Sequence, residues 1–179
     1  MKTLVDQLGQ YAGYHRDGRN IATHFIGIPM IVQAIAVLLA RPSVDWAGLP
    51  WSLSSLLVLV SLLYYLRLDL RLGLVMAALF GAALYGAAAA ATLPMGAWLS
   101  LGLGLFVVGW VFQFVGHYFE GRKPAFVDDL MGLIIGPLFV VAELGFLLGL
   151  RPALRDAVNE RAGAPRSASS ALAGTRRFG

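Results

Sequence analysis

An all-α, integral membrane helical bundle is the fold that this sequence predicts, with four full spans and a fifth broken or re-entrant apolar segment, preceded by an interfacial amphipathic helix. Of the 179 residues, 58% are hydrophobic and only 13% are charged, and the mean hydropathy is +0.72. A soluble domain of this size buries only about 70% of the surface that its unfolded chain exposes, so it could not hide this much apolar surface. Lipid is therefore expected to cover much of the protein.

The first predicted element is an amphipathic helix within residues 1–16. Leu4, Leu8, Tyr11 and His15 follow one another at helical spacings, which places them on one face of a helix. We expect this helix to lie along the headgroup plane, with His15 directed towards the membrane.

Five apolar stretches follow, each near the ~20 residues that cross ~30 Å of hydrocarbon. They comprise residues 21–40, 51–66, 72–91, 97–115 and 130–150. Gly136, Pro137 and Glu143 interrupt the fifth stretch, which is predicted either to span or to re-enter. Residues 155–179 carry few large apolar side chains and are predicted to form a disordered basic tail, which leaves residues 1–154 as a single transmembrane domain.

The basic residues favour an even number of crossings. If four segments span, thirteen of the fourteen lysines and arginines lie on one side of the membrane, and only Arg41 lies on the other. If all five span, the split becomes seven to seven. The positive-inside rule therefore predicts four crossings and cytoplasmic termini. The membrane is expected to be a bacterial-type inner membrane or the endoplasmic reticulum. The basic tail is expected to contact anionic membrane lipids, and nucleic acid is not an expected partner.

Three histidines are the strongest indication of chemistry. His15 and His24 frame the segment HRDGRNIATH before the first span, and His117 lies in QFVGHYFEGRKPA at the end of the fourth. Four crossings separate His24 from His117, so both return to one membrane face, which the topology makes the cytoplasmic one. A helical bundle could bring them together.

Other polar side chains share helix faces with these histidines. Asn20 lies four residues before His24, and Gln113 and Glu120 flank His117 at spacings of four and three. Gly116 would permit close approach by a neighbouring helix. Two helices thus present polar groups in register.

A metal site is the chemistry that these residue types favour. The chain has no cysteine, which excludes disulfides and thiolate ligands. Imidazole and carboxylate suit a non-haem iron or zinc site. Glu120 could bind the metal itself or accept a hydrogen bond from a liganding histidine, and the sequence leaves both roles open.

Simpler interpretations exist for several of these residues. His15 taken alone could be an interfacial anchor, and Glu143 could form a structural hydrogen bond within the bundle. Arg122 and Lys123 could determine topology or bind an anionic headgroup.

Taken together, two motifs resemble the membrane-bound 2-hydroxy fatty acid dioxygenase family, which includes a fungal enzyme of phytosphingosine degradation and bacterial homologues. The resemblance rests on YHRDGRNIATHFIGIP, on QFVGHYFEGRKPAFVDDL, and on a Gly-Pro pair followed six residues later by Glu143, and it covers about residues 1–150. Arg16 departs from the fungal pattern, which has a second histidine there.

The resemblance implies Fe(2+)-dependent α-oxidation, in which a long-chain 2-hydroxy fatty acid reacts with dioxygen to give a fatty acid one carbon shorter. His15, His24 and His117 would be the metal residues. The accompanying polar positions implied as catalytic are Asn20, Gln113, Glu120 and Glu143. A cation at the rim could attract the substrate carboxylate, and the candidates are Arg16, Arg19, Arg122 and Lys123.

Two other functions stay open at this point. The chain could be an electron carrier that binds haem between His24 and His117, or a lipid-binding membrane protein without enzymatic activity. Self-association into a homo-oligomer is also left open by the sequence.

Overall fold

Helices make up most of the computed structural model, which describes residues 2–163. The helices are α1 (Leu4–Ala12), α2 (Gly18–Leu38), α3 (Leu53–Leu68), α4 (Leu70–Ala91), α5 (Met95–Glu120), α6 (Met131–Leu147) and α7 (Pro152–Ala162). Two short strands, β1 (Ser43–Trp46) and β2 (Leu49–Ser52), and a 3-10 turn at Ala125–Val127 complete the described chain. The mostly helical architecture agrees with the all-α prediction.

Three helices, α2, α4 and α5, are long and apolar enough to cross a membrane. Helix α3 has 16 residues, which at 1.5 Å per residue span only about 24 Å. Its length is set by polar caps, because Ser52 caps its first turn and Asp69 both ends it and caps α4. Four full spans, as the sequence predicted, are therefore not confirmed by helix length.

The fifth apolar segment bends beyond the position that the sequence indicated. Helix α6 continues through Pro137 and ends at Leu147, and the axes of α6 and α7 then differ by 119°. Arg151 and Gly149, both at positive φ, lie in this break. By length and composition, the bent pair α6 and α7 fits either one broken span or a re-entrant segment.

A β-hairpin occupies the connection between the first two apolar stretches, where no strand was predicted. Strands β1 and β2 pair antiparallel, with Val44 opposite Trp51. Ala47 and Gly48 have φ values of 54° and 76°, and two successive residues at positive φ form the tight turn that suits a hairpin. Trp51, predicted to begin a span, therefore belongs to a strand.

The described chain divides into two compact units, and α2 and α5 contribute to both. One unit contains residues 27–110. In it the Trp98 indole donates a hydrogen bond to the carbonyl of Val37 over 2.8 Å, and Ala87 and Ala90 pack beside them. This cluster brings together the C-terminal ends of α2 and α4 and the N-terminal end of α5.

The other unit combines residues 2–26 with residues 111–163 and contains all of the predicted site residues. Helix α1 contacts both α6 and α7 in this unit. Leu4, Leu8 and Tyr11, which were expected to face lipid, are buried there. Protein therefore covers the apolar face of α1, and the position of this helix at the membrane interface stays a prediction.

Helix α7 lies in a region where the sequence predicted disorder from residue 155 onward. Residues 155–162 are helical instead, because Leu154 and Val158, one turn apart, are buried. Arg161 adds an ion pair with Asp6 of α1. Residues 164–179 of the predicted tail lie outside the described residues, and the single domain over residues 1–154 stays a prediction.

Candidate metal centre

Three imidazole rings meet within the unit formed by residues 2–26 and 111–163. His15 comes from the loop before α2, His24 from α2 and His117 from α5, and all three side chains are buried. Their ring centroids lie 4.5 to 5.1 Å apart, and one nitrogen atom from each ring lies within 4.8 Å of the others. This is an arrangement of donor atoms that a single metal ion could bridge.

Hydrogen bonds fix the tautomers of two of these histidines. His15 Nδ1 lies 2.8 Å from the carbonyl oxygen of Tyr11, and His24 Nδ1 lies 2.9 Å from that of Asn20. A carbonyl can only accept, so each Nδ1 carries the hydrogen. In the neutral rings both Nε2 atoms then present lone pairs.

These two lone pairs face each other across 3.0 Å, the distance between the Nε2 atoms of His15 and His24. Neither atom can donate to the other in that tautomer, so the pair is repulsive unless a cation lies against both. A metal ion held by both nitrogens would remove this repulsion, and neutral imidazole is a common metal ligand. The chemistry of the donor pair therefore fits a metal ion.

Burial keeps His15 in the form that binds metals. Loss of hydration in the protein interior, reinforced by the nearby His24, holds the pKa of His15 well below its usual range. The Tyr11 ring stacks on the His15 ring at a centroid distance of 4.2 Å, which limits rotation of the imidazole. His15 is thus neutral and fixed in orientation at physiological pH.

His117 completes the cluster from the opposite motif. Its Nδ1 atom is buried and has no hydrogen-bond partner among residues 2–163. Close packing of α5 on α2 brings the ring into place, because a Cβ at Gly116 would collide with Thr23 and Asn20 and would touch His24 Nδ1 at 3.3 Å. Glycine at this position permits the approach of the two helices.

Glu120 binds the loop that carries His15. Its Oε2 atom accepts hydrogen bonds from the backbone N–H groups of Arg16 and Asp17 over 2.9 and 2.8 Å. The Asn20 side-chain amide donates a third at 3.1 Å. Glu120 is absent from the metal-compatible cluster found among the described residues. The carboxylate therefore links the end of α5 to the residues that follow His15.

The comparisons with known proteins agree with the motifs. The family described as 2-hydroxy-palmitic acid dioxygenase Mpo1-like matches residues 1–148. The chain belongs to the Mpo1-like family. Among curated proteins it is 35% identical over 157 residues to the 2-hydroxy-palmitic acid dioxygenase MPO1 of Saccharomyces cerevisiae, with 85% of each chain covered. No solved structure matches it.

The four basic residues predicted to meet substrate in this Mpo1-like chain lie in different surroundings. Arg19 pairs with Asp17 at 2.8 Å and its guanidinium lies 4.6 Å from the Phe119 ring centroid. Arg122 donates to the Gly13 carbonyl, and Lys123 pairs with Asp128, and both basic side chains are exposed. Arg16 alone among the four is buried, at 8% exposure.

Arg16 lies next to the histidine cluster and is held from α7. Its guanidinium donates to Asn159 Oδ1 over 3.2 Å, and its positive charge acts on both His15 and Glu143. Glu143 is partly buried on α6. Asn159 lies beyond the segment matched by the Mpo1-like family, which ends at residue 148.

Some residues of the centre carried no usable signal in the sequence. Phe139 packs against the Tyr11 and His15 rings from α6, and Asn159 approaches from α7, so both depend on tertiary packing. Tyr11 is different, since the spacing of four residues had already placed it with His15 on one predicted helical face, although α1 ends at Ala12. Asp17 is 2% exposed and was not singled out, although it contacts Arg19.

Proposed function

We propose that this protein is a non-haem Fe(2+)-dependent dioxygenase that performs α-oxidation of 2-hydroxy fatty acids to fatty acids one carbon shorter. The observation that carries the proposal is the pair of Nε2 lone pairs facing each other at 3.0 Å beside a third buried imidazole, in a chain 35% identical to a 2-hydroxy-palmitic acid dioxygenase. His15, His24 and His117 would hold the metal. We assign them no other catalytic task.

The match to a dioxygenase family favours ferrous ion over zinc, which three imidazoles would also suit, because reaction with dioxygen requires a metal that can change its oxidation state. Neutral imidazole binds iron(II), and a set of three nitrogen donors without thiolate leaves room for oxygen ligands. Bound there, ferrous ion supplies coordination positions for the substrate oxygens and for dioxygen, and electron transfer between them.

The overall reaction balances with dioxygen as the only co-substrate. A 2-hydroxy acid and one dioxygen molecule give the acid shortened by one carbon, carbon dioxide and water. The bond between C1 and C2 breaks, C2 becomes the new carboxyl carbon, and four electrons pass from C1 and C2 to dioxygen. No external reductant is needed.

The surrounding side chains orient the reactants and exclude water. Glu120 holds the backbone of Arg16 and Asp17 and so keeps His15 directed at His24. The aromatic rings of Tyr11 and Phe139 cover His15. Arg16 places a buried positive charge beside the centre, where it would attract the carboxylate of the substrate. Arg19, Arg122 and Lys123 would contact anionic headgroups.

A haem function is less compatible with this geometry. Axial histidines bind on opposite faces of a flat macrocycle, whereas the rings of His24 and His117 lie 5.1 Å apart with the His15 ring within 5.0 Å of each. The third imidazole occupies space that the macrocycle would need. A purely structural role in a lipid-binding protein would not require two buried lone pairs to face each other.

The decisive experiment is product analysis with purified protein and 2-hydroxypalmitate. We expect pentadecanoate and carbon dioxide to form in equal amounts with ferrous ion and oxygen, and neither to form after chelation or under anaerobic conditions. Palmitate serves as the control substrate, since it lacks the 2-hydroxyl group. Absence of pentadecanoate from iron-loaded protein would contradict the proposal.

We further propose that the chain crosses the membrane four times, with the metal centre at the cytoplasmic face. The C-terminal ends of α2 and α4 and the N-terminal end of α5 lie together, so α3 must return the chain between them. The β-hairpin and Arg41 would then lie on the far side. Basic residues would be concentrated with the metal centre.

A topology reporter tests this arrangement. We expect an alkaline phosphatase fusion at the C-terminal end to be inactive in a bacterial host, and a fusion inserted between Ala47 and Gly48 in the hairpin turn to be active. The second fusion is the matched control for expression and insertion. An active C-terminal fusion would contradict four crossings.

A further inference from the structure

Gln113 is a buried hydrogen-bond donor without an acceptor. It lies on α5 one turn before His117, its exposure is 6%, and its side-chain nitrogen has no hydrogen-bond partner within residues 2–163. Buried polar groups in proteins are nearly always hydrogen bonded, and an exception calls for a missing partner. A ligand that carries an oxygen atom would supply one.

Two further unpartnered polar atoms lie on the facing parts of α2 and α5. They are Asn20 Oδ1 and His117 Nδ1, which are also buried and lack partners in the described chain. Asn20 Oδ1 lies against Gly116, a residue of α5 that lies between Gln113 and His117 along the helix. Unsatisfied polar atoms thus lie on His117 itself, on Asn20 next to it across the helix contact, and on Gln113 one turn earlier on α5.

The position of Gln113 indicates which ligand oxygen it would meet. Residues four apart on a helix lie about 6 Å apart along its axis, so Gln113 lies one turn further from the end of α5 than His117 does. Arg16, at the loop end of the centre, would attract the charged carboxylate. The 2-hydroxyl group is attached to the carbon next to the carboxylate, on the side of the acyl chain. A neutral amide donor suits this hydroxyl oxygen.

We propose that Gln113 donates a hydrogen bond to the 2-hydroxyl oxygen of the bound substrate and so sets the preference for 2-hydroxy acids over unsubstituted fatty acids. This inference rests on the proposed function. A site that hydrogen-bonds a substrate hydroxyl discriminates strongly against the analogue that lacks it, because the donor is then left buried without a partner.

The test compares Gln113→Met with Phe114→Leu in the iron-loaded enzyme. Methionine is close to glutamine in size and cannot donate a hydrogen bond, and Phe114 is 56% exposed on the same turn of α5. We expect Gln113→Met to raise the KM for 2-hydroxypalmitate at least ~10-fold, while the inhibition constant of palmitate changes less than about threefold. Phe114→Leu should leave both values near wild type. Iron content, measured in parallel, should not change.

An unchanged KM in Gln113→Met, or an equal weakening of the binding of 2-hydroxypalmitate and palmitate, would overturn the inference. Loss of iron from the variant would also overturn it. If Gln113→Met does not accumulate in the membrane, Gln113→Leu gives the same comparison. Failure of the wild-type enzyme to form pentadecanoate would instead reject the proposed function. Turnover by the wild type together with unaltered selectivity in the variant would reject only the assignment of Gln113.

Discussion

Replacement of His24 or His117 by alanine is expected to abolish iron retention and to lower turnover of 2-hydroxypalmitate by more than about 100-fold. Each substitution removes one of only three imidazoles in the cluster, and loss of even a group that merely orients a metal ligand typically costs 10 to 100-fold. Iron per chain after desalting and initial rates with added ferrous ion are the measurements. The matched control is Tyr118→Ala, because Tyr118 adjoins His117 and is 82% exposed.

The same variants separate a metal-binding role from a packing role. In the metal-free protein, His24→Ala removes one of the two lone pairs that face each other at 3.0 Å, so the thermal stability should fall less than for an ordinary core truncation. If the histidines served packing alone, stability would fall and iron content would be unaffected. Full iron occupancy in His24→Ala or His117→Ala would remove that residue from the proposed set of ligands.

Substitution of Glu120 is expected to have the second largest effect. Alanine at this position leaves the N–H groups of Arg16 and Asp17 and the Asn20 amide without their acceptor. The loop that carries His15 would then lose its connection to α5. We expect iron affinity and activity to fall about 10 to 100-fold in Glu120→Ala, and less in Glu120→Gln, which retains an acceptor oxygen.

Iron titrations of Glu120→Ala, Glu120→Gln and the control Glu160→Gln distinguish the two roles of this carboxylate. Glu160 is exposed on α7, so its substitution should leave iron affinity unchanged. Equal and complete loss of iron binding in both Glu120 variants would indicate a direct metal ligand instead. If Glu120→Ala bound iron with wild-type affinity, Glu120 would serve packing only.

Local sequence patterns anticipated the part of the centre that lies on two helices. The spacings of Asn20 and His24, and of Gln113, His117 and Glu120, depend only on the helical repeat, and the burial of all five side chains agrees with them. That the two motifs could meet followed from the predicted even number of crossings, which stays a prediction. The resemblance to the family, built on the same motifs, is confirmed by the match over residues 1–148.

Other parts of the structure could not be predicted because they depend on contacts between distant segments. The apolar face of α1 was assigned to lipid, since a short amphipathic pattern looks the same whether lipid or protein covers it. Helix α7 has few large apolar residues, and it contacts α1, a distant segment of the chain, with Leu154 and Val158 buried. The hairpin turn depends on Ala47 at positive φ, for which alanine carries no sequence signal.

X-ray absorption at the iron edge of the loaded wild-type protein can show whether three histidines from two distant motifs bind one ferrous ion. We expect one iron per chain with about three imidazole nitrogens at ~2.1 Å and additional oxygen ligands, and the loss of one imidazole in His24→Ala if any iron is retained. A planar set of four porphyrin nitrogens, or an iron environment of oxygen atoms without imidazole, would contradict this expectation.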